Sequence, residues 1–300
     1  MFMRRLYMWL SNKWHDFEII DCSDGEKLER WGEYTLVRPD PQAIWSTERN
    51  DPAWFRPNAR YARSSSGGGR WVRANVPEAW QIHYNELTFN IKLMNFKHTG
   101  IFPEQACNWE YIMERVRSAE RRISVLNLFA YTGAASLAAA AAGAEVCHVD
   151  AAKGMVSWAR ENAAASGLTD RPIRWIVEDC RKFVEREIRR GRRYDAIIMD
   201  PPSYGRGPSG EIWKLEESLY PFVELCAQVL SDTPEFVIIN SYTTGLSPSV
   251  LTYMSETIFT KRFGGHSESQ ELGLPVSASG LALPCGATCR WSARQTAEKV

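Results

Sequence analysis

ISVLNLFAYTGAASLAAAAAGAEVCHVD, residues 123–150, joins an apolar run to an alanine-rich segment and then to a second apolar run that ends on an acid. The outer runs, ISVLNLFA (123–130) and AEVCHVD (144–150), have the length and apolar content of buried strands. Between them GAASLAAAAAG (133–143) has the composition of a helix and closes on Gly143. Strand, helix, strand at this spacing is the unit from which parallel sheets are wound.

Working outward, the same alternation continues to the C-terminal side. PIRWIVE (172–178), YDAIIMD (194–200) and EFVIIN (235–240) read as further strands. GMVSWARENAAASG (154–167), DCRKFVEREIRRG (179–191) and WKLEESLYPFVELCAQVL (213–230) read as the helices between them, two of them closing on Gly167 and Gly191. The last stretch, 267–291, holds two strand-like runs around a Ser-Gly turn and predicts a closing antiparallel hairpin. The expected fold is α/β, a Rossmann-like doubly wound sheet.

Toward the N-terminus the texture changes near residue 96. Short alternating runs, YTLVR (34–38), RWVRANV (70–76) and LTFNIKL (87–93), are separated by turn-formers such as SSSGGG (64–69). Residues 1–95 therefore read as a small β-rich domain and residues 96–300 as the α/β domain.

In such sheets ligands sit beyond the C-terminal ends of the strands. The first strand leads into N127-L-F-A-Y-T-G133, with one glycine rather than the three of a dinucleotide fingerprint, which argues against NAD or FAD. The second strand ends in Asp150, placed to accept from ribose hydroxyls, the third in Asp179 and the fourth in Asp200. Asp179 is also well placed as a helix N-cap. Acids at successive strand ends beside a single close backbone approach suit an adenosine without phosphates, and S-adenosylmethionine is that molecule. At the fourth strand end Asp200 supplies an acceptor, and the rigid Pro201-Pro202 turn can aim a backbone carbonyl at the same point. Two acceptors facing one point suit an amino or ring nitrogen oriented for attack on a methyl group.

With these residues in view, the chain resembles the class I S-adenosylmethionine-dependent methyltransferases, in the bacterial branch related to the large-subunit ribosomal RNA methyltransferases. The carriers are HTGIFPEQ (98–105), VLNLFAYTG (125–133), VD (149–150), VED (177–179) and DPPSYGRG (200–207), within residues 85 to 295. The resemblance implies a seven-stranded sheet whose first loop, through Asn127, Phe129, Ala130, Thr132 and Gly133, wraps the cofactor. It also implies Asp150 on the ribose, Asp179 near the adenine, and Phe102 and Gln105 closing the pocket.

The chain departs from related patterns in three places. Ser203 follows the two prolines where amino-group enzymes carry an aromatic, and Tyr204 stands one position on. Where cytosine-C5 enzymes carry a nucleophilic cysteine, this chain has Ser203 and the N240-S-Y triplet, so direct transfer without a covalent intermediate is expected. The auxiliary RNA-binding domain of the ribosomal relatives is not recognisable in residues 1–95.

Composition bounds the partners. Thirty-six basic and thirty-six acidic residues balance, so nucleic-acid binding has to rest on local patches. One such patch is WFRPNARYARSSSGGGRWVR (54–73), five arginines and four aromatics without an acid, whose interleaving suits single-stranded RNA. Arg63 and Arg70 from this patch, with Ser203, Tyr204, Arg206 and Lys214 after the proline turn, are the expected substrate contacts. Seven cysteines without a C-x-x-C pair argue against a disulfide framework or a zinc site, and no metal is expected. The first sixteen residues lack the apolar run of a signal peptide or a membrane span, which points to a cytoplasmic protein. The expected function is methyl transfer to a nucleobase in RNA, ribosomal RNA favoured. The alternatives are a non-catalytic S-adenosylmethionine-binding module and an enzyme acting on a small molecule or protein.

Overall fold

The computed structural model describes residues 8–64, 68–73, 75–206, 212–242 and 246–293, with the side chains of Arg73 and Arg206 outside the described set. The N-terminal part holds β1 (Met8–Leu10), β2 (Phe17–Ser23), β3 (Glu26–Trp31), β4 (Tyr34–Pro39), β5 (Ala59–Arg63), β6 (Gly69–Arg73), β7 (Trp80–Tyr84) and β8 (Leu87–Ile91). Strands β2 to β6 form one five-stranded sheet in sequence order, and β7 pairs with β8 as a hairpin.

There follow α1 (Ala106–Ser118), β9 (Ser124–Leu128), α2 (Ala134–Ala141), β10 (Glu145–Asp150), α3 (Lys153–Ala165), β11 (Ile173–Val177), α4 (Cys180–Arg189) and β12 (Ala196–Met199). A short hairpin of β13 (Tyr204–Arg206) and β14 (Ile212–Lys214) leads into α5 (Leu215–Ala227). The chain then forms β15 (Phe236–Ser241), α6 (Pro248–Ser255), β16 (His266–Pro275) and β17 (Ala282–Ser292).

The main sheet has the order β1-β16-β17-β15-β12-β9-β10-β11. Seven of these strands are the expected class I set, with β17 antiparallel to both neighbours. The eighth, β1, lies parallel to β16 and was not anticipated from sequence. Strands β9, β12 and β15 are apolar and buried because helices cover both faces, which leaves no solvent-facing position for alternation to mark. Strand β11, at the edge, is only half-buried.

Strand order reverses at β9, which pairs with β10 on one side and β12 on the other. That switch point opens a crevice at the C-terminal strand ends. The N-terminal strands pack into the same core: Phe17, Trp31 and Leu36 share one buried cluster with Phe89, Trp109 and Ile238. Hairpin β7–β8 is tied to α3, Asn90 donating through its backbone N–H to Asn162 Oδ1 (2.9 Å) and accepting from Trp158 Nε1 (2.9 Å).

Candidate active site

The first-strand loop is built by backbone that few side chains favour. Phe129 (φ 55°), Tyr131 (φ 50°) and Gly133 (φ 88°) all lie in the left-handed region, which costs free energy at the two non-glycine positions. Surrounding bonds hold the loop there. Phe129 N–H donates to Cys180 Sγ (3.2 Å), Ala130 N–H to Val149 O (3.1 Å) and Asn162 Nδ2 to Thr132 O (3.0 Å), while Thr132 Oγ1 donates to Gly100 O. Gly133 has a packing reason as well: a Cβ there would lie 2.9 Å from Ala159 Cβ.

Asp150 ends β10 beside this loop. One carboxylate oxygen accepts from Tyr131 N–H and the other from Ala152 N–H, both at 2.8 Å, so each oxygen keeps a lone pair for a ligand. Burial pushes its pKa up, against the pull of these two backbone donors. Asp179 accepts from Lys182 N–H at 3.0 Å and is therefore the N-cap of α4, while it also lines the large cavity.

That cavity, about 890 Å³, runs from Asp179 and Asp150 past Phe129 and Tyr131 to Asp200. Phe102 stacks in its wall, 5.4 Å from Tyr131 and 5.8 Å from Tyr242 between ring centroids. A second, narrow space of about 50 Å³ lies under the loop, where Gln105, Asn127, Ala130, Thr132 and Gly133 meet. The polar side chains there are partly committed. Gln105 donates to Tyr242 OH (2.7 Å) and accepts from Asn108 Nδ2 (2.8 Å), and Asn127 donates to Ser136 Oγ (2.9 Å). The volume, the aromatic wall and a carboxylate with lone pairs to spare fit a nucleoside-bearing cofactor.

At the end of β12, Asp200 lines both spaces. Among the described residues its carboxylate receives no hydrogen bond and joins no ion pair. Burial, and secondarily the charge of Glu104, push its pKa up to about 7. Pro201 is buried and Pro202 exposed. The Pro202 carbonyl accepts from Trp213 Nε1 at 2.6 Å, which anchors the turn beside Asp200. Ser203 lines the cavity, and Tyr204 is 54% exposed on the β13–β14 hairpin. Lys214, at the start of α5, is exposed and pairs with Glu217 at 2.8 Å. The side chain of Arg206 lies outside the described residues.

The 54–73 segment differs from its sequence reading. Trp54 is buried, and Tyr61 is buried against Trp71, whose indole donates to Met94 O (2.8 Å). Tyr61 and Trp71 share one face of the β5–β6 pair, opposite to Arg60 and Arg70, and Trp54 closes the short Pro52–Trp54 turn. Arg60 is committed to Glu26 (2.7 Å) and to Trp54 O (2.6 Å). Phe55, Arg56, Arg63 and Arg70 remain exposed.

Sequence reasoning passed over several cavity residues. Lys27, Arg38, Asp40 and Ile44 reach it from the N-terminal part, and Glu104, Tyr131, Trp213 and Tyr242 from the α/β part. Glu104, Tyr131 and Tyr242 carried a signal, since they sit inside HTGIFPEQ, VLNLFAYTG and the N240-S-Y triplet, and Cys285, whose place in the terminal hairpin left its approach to the site open, lines the cavity as well.

A family model described as S-adenosylmethionine-dependent methyltransferase matches residues 26–216. A solved S-adenosylmethionine-dependent methyltransferase from Agrobacterium tumefaciens is 38% identical and superposes with a TM-score of 0.90, covering 96% of this chain and 93% of that one. A putative methyltransferase complexed with SAH has the same fold at 21% identity and TM-score 0.71, over 93% of this chain and 75% of that one. Among curated proteins, the ribosomal RNA large subunit methyltransferase K/L of Pseudoalteromonas atlantica is 35% identical over 41% of this chain and 17% of its own length. Its counterpart from Shewanella frigidimarina is 28% identical over 51% of this chain and 21% of its own. The chain thus spans about a fifth of these relatives, and the likeness is distant. Among the described residues no helix is long and apolar enough to cross a membrane. The matched span reaches from the N-terminal sheet through the first-strand loop to the proline turn, and the chain belongs to the S-adenosylmethionine-dependent methyltransferases.

Proposed function

We propose that the chain methylates a nucleobase nitrogen in RNA, with ribosomal RNA as the favoured source, by direct transfer. The observation that carries this reading is the Asp200 carboxylate, which stands on the cavity wall at the strand end with no partner of its own among the described residues and a rigid proline turn after it. The names of the curated relatives, which refer to ribosomal RNA, support the choice of acceptor.

In this reading Phe102, Gln105, Asn127, Phe129, Ala130, Thr132 and Gly133 shape the cofactor pocket. Asp150 accepts from the ribose hydroxyls, and Asp179 stands near the adenine. The bound cofactor supplies a methyl group on a positively charged sulfur. Asp200 and the Pro201 carbonyl accept N–H bonds from the acceptor and fix its lone pair toward that carbon. As that lone pair took the methyl group the carbon–sulfur pair would stay on the sulfur, leaving a neutral thioether, and Asp200 would take the proton that the nitrogen gives up. Pro202 keeps the turn in place through Trp213. Ser203, Tyr204, Arg206 and Lys214 contact the nucleotide from the rim, and Arg63 and Arg70 contact phosphates. Residues 1–95 present the acceptor, and residues 96–300 carry the transfer.

One observation favours a second reading, a free acceptor of nucleoside size: three of the four aromatics in 54–73 pack against the protein and are not available for base stacking. Labelled cofactor offered with total RNA stripped of its methylation, and separately with free nucleosides, decides between them. Label in ribosomal RNA, with binding whose salt dependence flattens in Arg63→Gln/Arg70→Gln, supports the first reading. Label in nucleosides alone overturns it.

A further inference from the structure

We infer that Glu104 is a second acceptor-binding carboxylate, which together with Asp200 forms a subsite for a planar nitrogen acceptor presenting two N–H donors, an amidine-like edge. The inference deepens the proposed function and rests on its assignment of Asp200.

Glu104 sits in the short Pro103–Gln105 turn that opens α1. It is 7% exposed, and what it shows faces the cavity that Asp200 lines. Among the described residues no other residue donates to its carboxylate and no cation pairs with it. The nearby cations are engaged elsewhere. Arg38 grips Glu29 through Nε (2.5 Å) and through its terminal nitrogen (2.7 Å). Lys27 pairs with Glu29 (3.4 Å) and Asp40 (3.2 Å). These two cations thus balance Glu29 and Asp40, and Lys97, which also lines the cavity, donates to Pro39 O (3.3 Å) and pairs with neither Glu104 nor Asp200.

Burial raises both pKa values and the charge of Glu104 raises that of Asp200 further, although Lys27 and Arg38 pull that of Glu104 the other way. A third group completes the wall. Tyr242 accepts from Gln105 Nε2 at 2.7 Å, which leaves its own O–H to donate, and the charges of Asp200 and Glu104 both act on it.

A buried carboxylate that no other residue donates to is costly, and two lining one space are costlier. A fold keeps such a pair where a ligand brings the missing donors. The ligand chemistry follows: an anionic or donor-free acceptor is repelled, whereas an amino group beside a ring N–H, or an amidinium, satisfies both carboxylates at once. Asp200 takes the nitrogen that reacts, and Glu104 takes its neighbour and fixes the plane of the ring.

The test uses benzamidine as the probe, a flat ring with an amidinium edge, titrated into the cofactor-loaded full chain at pH 8. Benzamidine should bind the wild type, and Glu104→Gln should weaken it at least tenfold while cofactor affinity holds and the unfolding midpoint does not fall. Asp200→Asn should weaken it similarly, which keeps the test open if one variant folds poorly. The Asp200 carboxyl, followed by carbon NMR, should titrate at lower pH in Glu104→Gln, a change that a merely structural Glu104 would not produce. Equal benzamidine affinity in Glu104→Gln, or an unmoved Asp200 titration, overturns the inference. If RNA is never methylated yet benzamidine binding depends on both carboxylates, the RNA reading falls and the subsite stands.

Discussion

The indole Nε1 of Trp213 donates to the carbonyl of Pro202 at 2.6 Å and so ties the β13–β14 hairpin to the turn that follows Asp200. The same ring packs between Phe129 of the first-strand loop and Phe222 of α5, each 5.6 Å away between centroids. One side chain therefore links the end of the fourth parallel strand, the first-strand loop and a helix of the core. Trp213→Phe keeps most of the packing and removes the hydrogen bond. We expect kcat to fall by about tenfold, the rate equivalent of losing roughly 1.4 kcal/mol of alignment, with cofactor affinity within about twofold of the wild type. Steady-state kinetics beside calorimetry check this, and an unchanged kcat would remove the turn's orientation from the mechanism.

A second expectation separates holding the cofactor from using it. Asp150 accepts two backbone N–H bonds and keeps lone pairs for a ligand, whereas Asp200 accepts none from the described residues. Asp150→Ala should weaken S-adenosylmethionine binding by about 1.5 to 3 kcal/mol, the scale of hydrogen bonds to a charged group. Asp200→Ala should leave that affinity nearly intact and abolish most turnover. Calorimetry and single-turnover rates on the two variants read the contrast directly. Parallel losses in both would make Asp200 a wall of the cofactor pocket.

Much of this site was legible before the fold was known, and the reason is local. Strands β9, β12 and β15 are buried on both faces, so their composition announces them. The acids that end β10 and β12 then stand where such sheets hold their ligands. What escaped was long-range or short. Strand β1 has three residues and no period, and so have β13 and β14. Lys27, Arg38 and Asp40 reach the cavity only because the N-terminal sheet packs across it, which no spacing records. Glu104 lay in plain view within HTGIFPEQ, yet an acid at the start of a helix has an ordinary explanation in the helix dipole. Trp54, Tyr61 and Trp71 looked like stacking partners because composition cannot tell which face of a strand a ring takes.

The pH dependence follows from Asp200. Its pKa rises from 3.8 to about 7, chiefly through burial and then through Glu104, while Tyr242 faces both acids. Only the ionised carboxylate can accept from the acceptor and take its proton, so kcat/KM should climb with pH through about 7 and level above it. Stability runs the other way. Because the folded chain holds this proton more tightly than the unfolded one, the carboxyl is a liability above pH 7 that is relieved as pH falls toward 4. Asp200→Asn should remove the first trend and weaken the second, to which Glu104 and Asp150, also raised by burial, still contribute. A pH–rate profile and denaturant midpoints taken between pH 5 and 8 test the pair, and an acid limb well below pH 6 in the wild type would contradict it.

The last expectation concerns Cys285, since a thiol in the right place would change the reaction. It lines the large cavity beside Pro284 and Gly286, where the terminal hairpin brings sulfur to the wall that Asp200 also lines. Cysteine chemistry on a base requires a thiolate, because only that form adds to a ring carbon that is otherwise a poor nucleophile. Here burial pushes the Cys285 thiol well up, and the neighbouring carboxylates Glu104, Asp40 and Glu29 push it further while Lys27 opposes them only in part. The S–H donates to Leu283 O at 3.2 Å, which holds it in the protonated form. Cys289 and Cys226 are fully buried in the core. A direct transfer to nitrogen needs none of these sulfurs. Cys285→Ser should therefore retain kcat within about threefold, a change of roughly 0.6 kcal/mol in barrier. RNA containing 5-fluorocytidine should leave no denaturant-resistant adduct with the wild type. An adduct that forms and then vanishes in Cys285→Ser would establish a covalent route through this thiol and move the acceptor atom from nitrogen to carbon.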